Sequence, residues 1–158
     1  MGSGPYPTEL HDATGERLRK IGNEFGATTG RPRRTGWLDA LGLRFAARVN
    51  GLDGLALTKL DCLTGFDTVK IAVAYEVDGK RLDEMPSDPE LLERAKAIYE
   101  ELPGWTEKVD HLRTWDDLPA KARAYLKRVE ELVGVKVIGV SVGADRGQTI
   151  LRENPFRA

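Results

Sequence analysis

Cysteine is nearly absent from this chain: Cys62 is the only one among 158 residues. A single thiol excludes an intramolecular disulfide framework and fits a reducing compartment. Histidine is almost as scarce. His11 and His111 lie far apart with no partner pattern around either, so neither reads as catalytic or metal-ligating. No apolar run approaches the length of a membrane span and no signal-peptide pattern opens the chain, so the expectation is a cytoplasmic protein with no membrane partner. The net charge is only −1, which argues against a general nucleic-acid binder. At 41% hydrophobic residues, the chain can still bury a real core, as one domain or as part of a larger one.

The apolar pattern reads as α/β material, with helices alternating with strands around a mixed sheet. After a proline-rich lead-in over 4–10, a short helix is expected near 14–24, with Leu18, Ile21 and Phe25 on one face. A second is expected after the arginine-rich stretch, with Trp37, Leu38, Leu41, Phe45 and Val49 recurring at helical spacing. The strongest strand signal is 69–77, where Val69, Ile71, Val73, Tyr75 and Val77 alternate with Lys70, Ala72, Ala74 and Glu76. Asp78-Gly79 turns that strand into an antiparallel hairpin reaching 86. Ser87-Asp88-Pro89 opens a helix expected to run to Leu102. A further helix spans 119–133, with Leu118, Ala122, Tyr125, Leu126, Val129 and Val133 inward and Gly134 as its stop. Val135–Val142 is a continuous apolar run and reads as a buried, central strand. Gln148–Arg152 suggests a last short strand, and 153–158 a tail.

Three stretches carry chemistry. Gly26-Ala27-Thr28-Thr29-Gly30-Arg31-Pro32-Arg33-Arg34 combines two hydroxyls with three guanidinium groups, and the basic excess of the chain sits around it. In an extended stretch Arg31 and Arg33 point the same way and Arg34 the other. Guanidinium forks suit carboxylate and phosphate. Composition leaves two readings open: an anion-holding loop, or a solvated basic loop paired with neighbouring acids. Thr58-Lys59-Leu60-Asp61 follows a short apolar strand, at the carboxyl end where open α/β sheets bind ligands. An aspartate there can accept from the N1–H and 2-amino groups of a guanine; an ordinary turn aspartate is the alternative. Ser141-Val142-Gly143 ends another apolar strand, where small residues let the backbone approach a planar base; a strand-ending turn stabilised by Asp145 is the alternative. Other notable residues read as structural: Cys62 and Trp37 as buried packing, Trp105 and Trp115 as outside any stacking pair.

Taken together and in this order, these stretches resemble adenylosuccinate synthetase, a family that joins inosine monophosphate to aspartate at the expense of GTP. The resemblance runs from Gly4-Pro5-Tyr6-Pro7-Thr8-Glu9-Leu10 to Asn154-Pro155-Phe156 and includes Gly104-Trp105 and Ala124-Tyr125-Leu126. It implies a C-terminal part of a larger P-loop-like α/β domain over 4–158, with Met1–Ser3 as an expression scar. It also implies that Ala27, Thr28, Thr29, Gly30, Arg31, Pro32 and Arg33 form the aspartate-binding loop. Arg31 is then shared with inosine monophosphate and Arg33 with GTP. Lys59, Leu60 and Asp61 become the guanine triplet, with Ser141, Val142 and Gly143 as a second guanine contact.

One departure is large. The family's Gly-Asp-Glu-Gly-Lys-Gly-Lys phosphate segment does not occur in this sequence. Nor do the catalytic aspartate, the magnesium ligand and the Gly-His-Thr histidine that the family pattern supplies. The resemblance therefore implies a segment that contributes substrate sites to a magnesium-dependent, homodimeric enzyme and is inactive alone. A stand-alone, non-catalytic nucleotide-binding or regulatory module is one alternative, and a purely structural fragment whose pocket collapses without its partner segment is the other.

Overall fold

The computed structural model describes residues 4–153, so Met1–Ser3 and the end of the tail, including Asn154-Pro155-Phe156, lie outside the described residues. The elements run α1 (Ala13–Ile21), β1 (Leu38–Asp39), α2 (Ala40–Asn50), β2 (Leu55–Leu57), β3 (Thr68–Val77), β4 (Lys80–Leu82), α3 (Pro89–Arg94), β5 (Lys96–Pro103), α4 (Ala120–Val133), β6 (Val137–Ser141) and β7 (Thr149–Leu151). Short 3-10 turns occupy Leu60–Leu63 and Arg146–Gln148. The class is α/β, as expected, but the strands form two mixed sheets rather than one. In the first, β3 pairs with β1, β4 and β5; in the second the order is β2-β6-β7. The chain divides into two compact units, one drawn from residues up to Phe45 and from Lys70–Glu100, the other from Ala46–Val69 and from Glu101 onward.

In the first unit, Asp12 caps α1 by accepting from the Thr14 and Gly15 amides at 3.0 Å each. Those amides have no partner inside the helix, so a carboxylate at the cap stabilises the end. β3 is the sheet's centre, parallel to β1 and antiparallel to β4 through the Asp78-Gly79 turn. Its buried positions include Val69, Ile71, Ala74, Tyr75 and Val77. A core cluster of Leu41, Tyr75, Val77 and Ala95 is flanked by Leu82, Met85, Leu91, Leu92 and Ala97.

Two expectations fail here. The helix opened by Asp88 and Pro89 forms, with Asp88 Oδ1 accepting from Glu90 N at 2.9 Å, but it ends at Arg94. The chain then becomes β5, because the β3 backbone offers pairing that an exposed helix lacks and Ile98-Tyr99 suit a strand. On α2, Phe45 and Val49 are exposed, while Ala40, Leu41 and Ala47 are buried. Leu38 does not join that helix; it pairs in parallel with Ile71.

In the second unit the expected face of α4 is the observed one: Ala122, Tyr125, Leu126, Val129 and Val133 are all buried. Gly134 closes the helix in the left-handed region at φ 78°, the usual use of glycine at that position. β6 lies between β2 and β7, parallel to the first and antiparallel to the second. That central place accounts for its unbroken apolar sequence. Trp105 is buried and tilts against Tyr125 with ring centroids 6.1 Å apart, so it does belong to an aromatic pair. Burial pushes the Tyr125 hydroxyl well above its ordinary pKa. Trp115 lies beneath the Arg152 guanidinium at 4.8 Å, a cation–π contact.

Gly104 marks the tightest point of this unit. A Cβ there would sit 1.8 Å from the Phe66 carbonyl oxygen, and backbone cannot yield as a flexible side chain does. Gly104→Ala is expected to destabilise the protein by about 3 kcal/mol, read as a lowered urea midpoint. Gly147→Ala, with nothing within 4 Å, should stay within about 0.5 kcal/mol of wild type.

Candidate functional site

The first part of the arginine-rich loop, 26–31, is not extended. It is a closed turn held by Gly26 N to Arg31 O and Gly30 N to Gly26 O, both 2.8 Å, and by Arg33 N to Glu24 O at 2.9 Å. Gly30 adopts φ 63° within it, and Phe25 and Pro32 bridge its base. Ala27, Thr28, Thr29, Gly30, Arg31 and Pro32 are all exposed. Arg19 Nε donates to the Arg33 carbonyl at 2.8 Å, tying the loop to α1.

The three guanidinium groups have different fates. Arg33 pairs with Glu24 at 3.1 Å. Arg34 is clamped by Glu9 at 2.6 Å and the Gly4 carbonyl at 2.7 Å, and lies over the Tyr6 ring. Arg31 alone presents a guanidinium with no hydrogen bond or ion pair among the described residues. Arg31 and Arg33 are therefore not a matched fork as the loop stands, whereas Arg34 does turn elsewhere, as expected.

The second and third stretches meet in the other unit. β2 and β6 run parallel, with Leu57 opposite Val140, so both carboxyl ends emerge at the same edge. Beyond β2, Lys59 adopts φ 63° and ψ 38°, the left-handed region. Its amide donates to Ser141 Oγ at 2.8 Å. The 3-10 turn Leu60–Leu63 follows, burying Leu60 and Cys62, so Cys62 is a packing residue as its context suggests. Asp61 Oδ1 is buried with no hydrogen-bond partner. Thr8 Oγ1, Thr64 Oγ1 and Trp105 Nε1 share that condition among the described residues, but Asp61 is the ionisable member. A carboxylate oxygen without donors is costly. The arrangement fits a ligand that brings N–H groups.

One organising residue escaped the sequence reading. Gln148 accepts from Asp145 N at 2.9 Å through its side-chain oxygen, donates to the Asp110 carbonyl at 2.9 Å, and accepts from Val142 N at 2.8 Å through its backbone. Asp145 and Gln148 form a capping box. The signal was the Asp-x-x-Gln spacing after an apolar strand.

Two strand-end loops of an α/β unit thus meet beside a carboxylate oxygen that has no donor. The comparisons with known proteins say which kind of unit it is. The family model of adenylosuccinate synthetase matches residues 1–150. Adenylosuccinate synthetases of Anaeromyxobacter sp. strain Fw109-5 and Myxococcus xanthus are 80% and 60% identical over 158 residues, all of this chain. A solved structure of fully ligated adenylosuccinate synthetase from Plasmodium falciparum superimposes with a TM-score of 0.91 at 34% identity, covering 97% of this chain and 37% of that one. The chain belongs to the adenylosuccinate synthetase family. It spans 37% of the Anaeromyxobacter relative and 36% of the Myxococcus one. These matches establish a segment of that extent, and the C-terminal placement inferred from the sequence is withdrawn.

The Glu9–Arg34 clamp gives a pH test for the loop's anchorage. The Arg34 hydrogen bond, ahead of opposing burial, holds the Glu9 carboxyl below its ordinary pKa of 4.5. The unfolded chain therefore binds the proton more readily, and this contribution is complete above the ordinary value and lost as pH falls through the lowered one. Melting temperatures of wild type and Glu9→Gln should differ most at neutral pH and converge as pH falls through the lowered Glu9 value.

Proposed function

We propose that this chain is a segment of a GTP-dependent ligase that joins inosine monophosphate to aspartate to give adenylosuccinate, in the AMP branch of purine synthesis. The segment holds parts of the aspartate and guanine sites and is inactive alone. The observation that carries this reading is the buried, donor-less oxygen of Asp61, set in a turn joined to Ser141. A carboxylate accepts only, and guanine presents two adjacent donors, N1–H and the 2-amino group. Lys59 and Leu60 carry Asp61, while Val142 and Gly143 supply backbone at the neighbouring strand end. For the other substrates, the exposed Thr28 and Thr29 hydroxyls and the Arg31 guanidinium suit a dicarboxylate, with Arg31 also reaching the inosine nucleotide. Ala27, Gly30 and Pro32 shape that turn. Arg33 reaches GTP only by exchanging its Glu24 partner.

Phosphoryl transfer to the 6-oxygen of inosine monophosphate, then displacement of phosphate by the aspartate amine, depends on positioning and charge stabilisation. This chain's residues do the positioning. Magnesium is the metal the chemistry calls for, and the Gly-rich phosphate segment that supplies a ligand in the family pattern does not occur in this sequence. Its ligands belong to other parts of a whole enzyme, which acts as a cytoplasmic homodimer.

The isolated chain should form no adenylosuccinate from GTP, aspartate and inosine monophosphate at any protein concentration. Product absorbance that scales with protein and survives repurification would reject the segment reading. Base choice gives the sharper measurement. Asparagine at position 61 offers one donor and one acceptor, which suits xanthine. In a full-length synthetase carrying this segment, Asp61→Asn should shift the ratio of kcat/KM for xanthosine triphosphate over GTP upward by roughly 10–100-fold, the worth of a hydrogen bond to a charged group. An unmoved ratio makes Asp61 a turn residue.

A further inference from the structure

We infer that Ser141 is a positioning residue for base selection: its hydroxyl latches Lys59 in the left-handed region and thereby sets where the Asp61 carboxylate lies. The inference rests on the guanine reading of this site and adds a role that the strand-end pattern did not indicate. Ser141 closes β6 and Lys59 lies two residues past the end of β2, so the bond crosses between parallel neighbours where the ladder stops. The Lys59 amide donates to Ser141 Oγ at 2.8 Å.

A residue with a Cβ is disfavoured at φ 63°, and Lys59 has no glycine's freedom to relieve it. The turn that follows has no side-chain cap to hold it. Asp61 is two residues into that geometry, with one oxygen buried and lacking donors. Were Lys59 to relax toward an extended conformation, the carboxylate would swing with the turn. The latch holds the amide side of an otherwise unfavourable backbone, while the Cys62 amide donates to the Lys59 carbonyl at 3.1 Å on the other, and together they keep the acceptor that follows in one orientation. A strand-end alanine or valine has no acceptor to offer the amide.

The test uses the 158-residue chain with Ser141→Ala and the hydroxyl-retaining Ser141→Thr. Amide hydrogen exchange at Lys59 reads the latch. NMR titration with GTP and with inosine triphosphate, which lacks the 2-amino group, reads its consequence. In Ser141→Ala, Lys59 exchange should quicken roughly 3–10-fold and the preference for GTP over inosine triphosphate should fall by a similar factor. Ser141→Thr should keep both near wild type.

Unchanged exchange in Ser141→Ala overturns the latch. Faster exchange with an unchanged GTP preference, or equal weakening of both nucleotides, overturns the positioning role and leaves Ser141 as ordinary support. If wild type shows no GTP-dependent shift at all, the guanine reading fails and takes the positioning role with it. The exchange comparison still decides whether the hydroxyl holds the Lys59 amide.

Discussion

The parallel pairing of β2 with β6 is the constraint on which the candidate guanine site depends. Parallel neighbours end on the same side, so Lys59-Leu60-Asp61 and Ser141-Val142-Gly143, some eighty positions apart in the chain, leave the sheet together. Had β6 been antiparallel to β2, the two loops would lie at opposite ends and no common site could form. β7 then covers the other edge of β6, which makes β6 central. The bond between Lys59 and Ser141 continues the strand pairing one step beyond the ladder. Gln148 does the equivalent for the second loop, bonding backbone from three directions.

In the other unit, the corresponding constraint is the closed turn beneath Arg31. Its cross-turn hydrogen bonds, and the Arg19 bond to the Arg33 carbonyl, order the loop from within the chain. Glu24 and Glu9 each take one guanidinium and leave Arg31 outward. Two of three arginines thus serve the loop's own geometry, and the Arg31 guanidinium has no such partner among the described residues. Nearby, Asp39 accepts from the Leu41 and Gly42 amides at 3.0 and 3.1 Å and from the Tyr75 hydroxyl. One carboxylate thereby caps α2 and ties it to β3. Burial, then the Asp39 bond, pushes the Tyr75 hydroxyl well above its ordinary pKa, so it stays a donor to that carboxylate.

Much of this was legible from local pattern. The alternation in β3, the Asp78-Gly79 turn, the inward face of α4 and the apolar continuity of β6 all depend on periodicity or turn chemistry within a few residues. So did the candidate site: the three stretches were found by composition and by their places at strand ends. Less legible was whatever depended on distant partners. Residues 95–102 have helical and strand character in similar measure, and only the β3 edge decided for a strand. Phe45 and Val49 fit a helical stripe, yet that stripe is not the face α2 buries. Arg33 looked available because nothing in its neighbourhood announces Glu24 as its partner.

The sequence by itself determined the α/β class, the family, the identity of the chemical groups and the strand ends that carry them, because those follow from short-range periodicity and residue chemistry. Tertiary structure decided the number of sheets, which arginines are engaged, the left-handed backbone at Lys59 and the donor-less burial of Asp61 Oδ1. Each of those depends on a group far away in sequence, whether a strand edge, a carboxylate or a serine hydroxyl. Local preference has no information about where folding will place it.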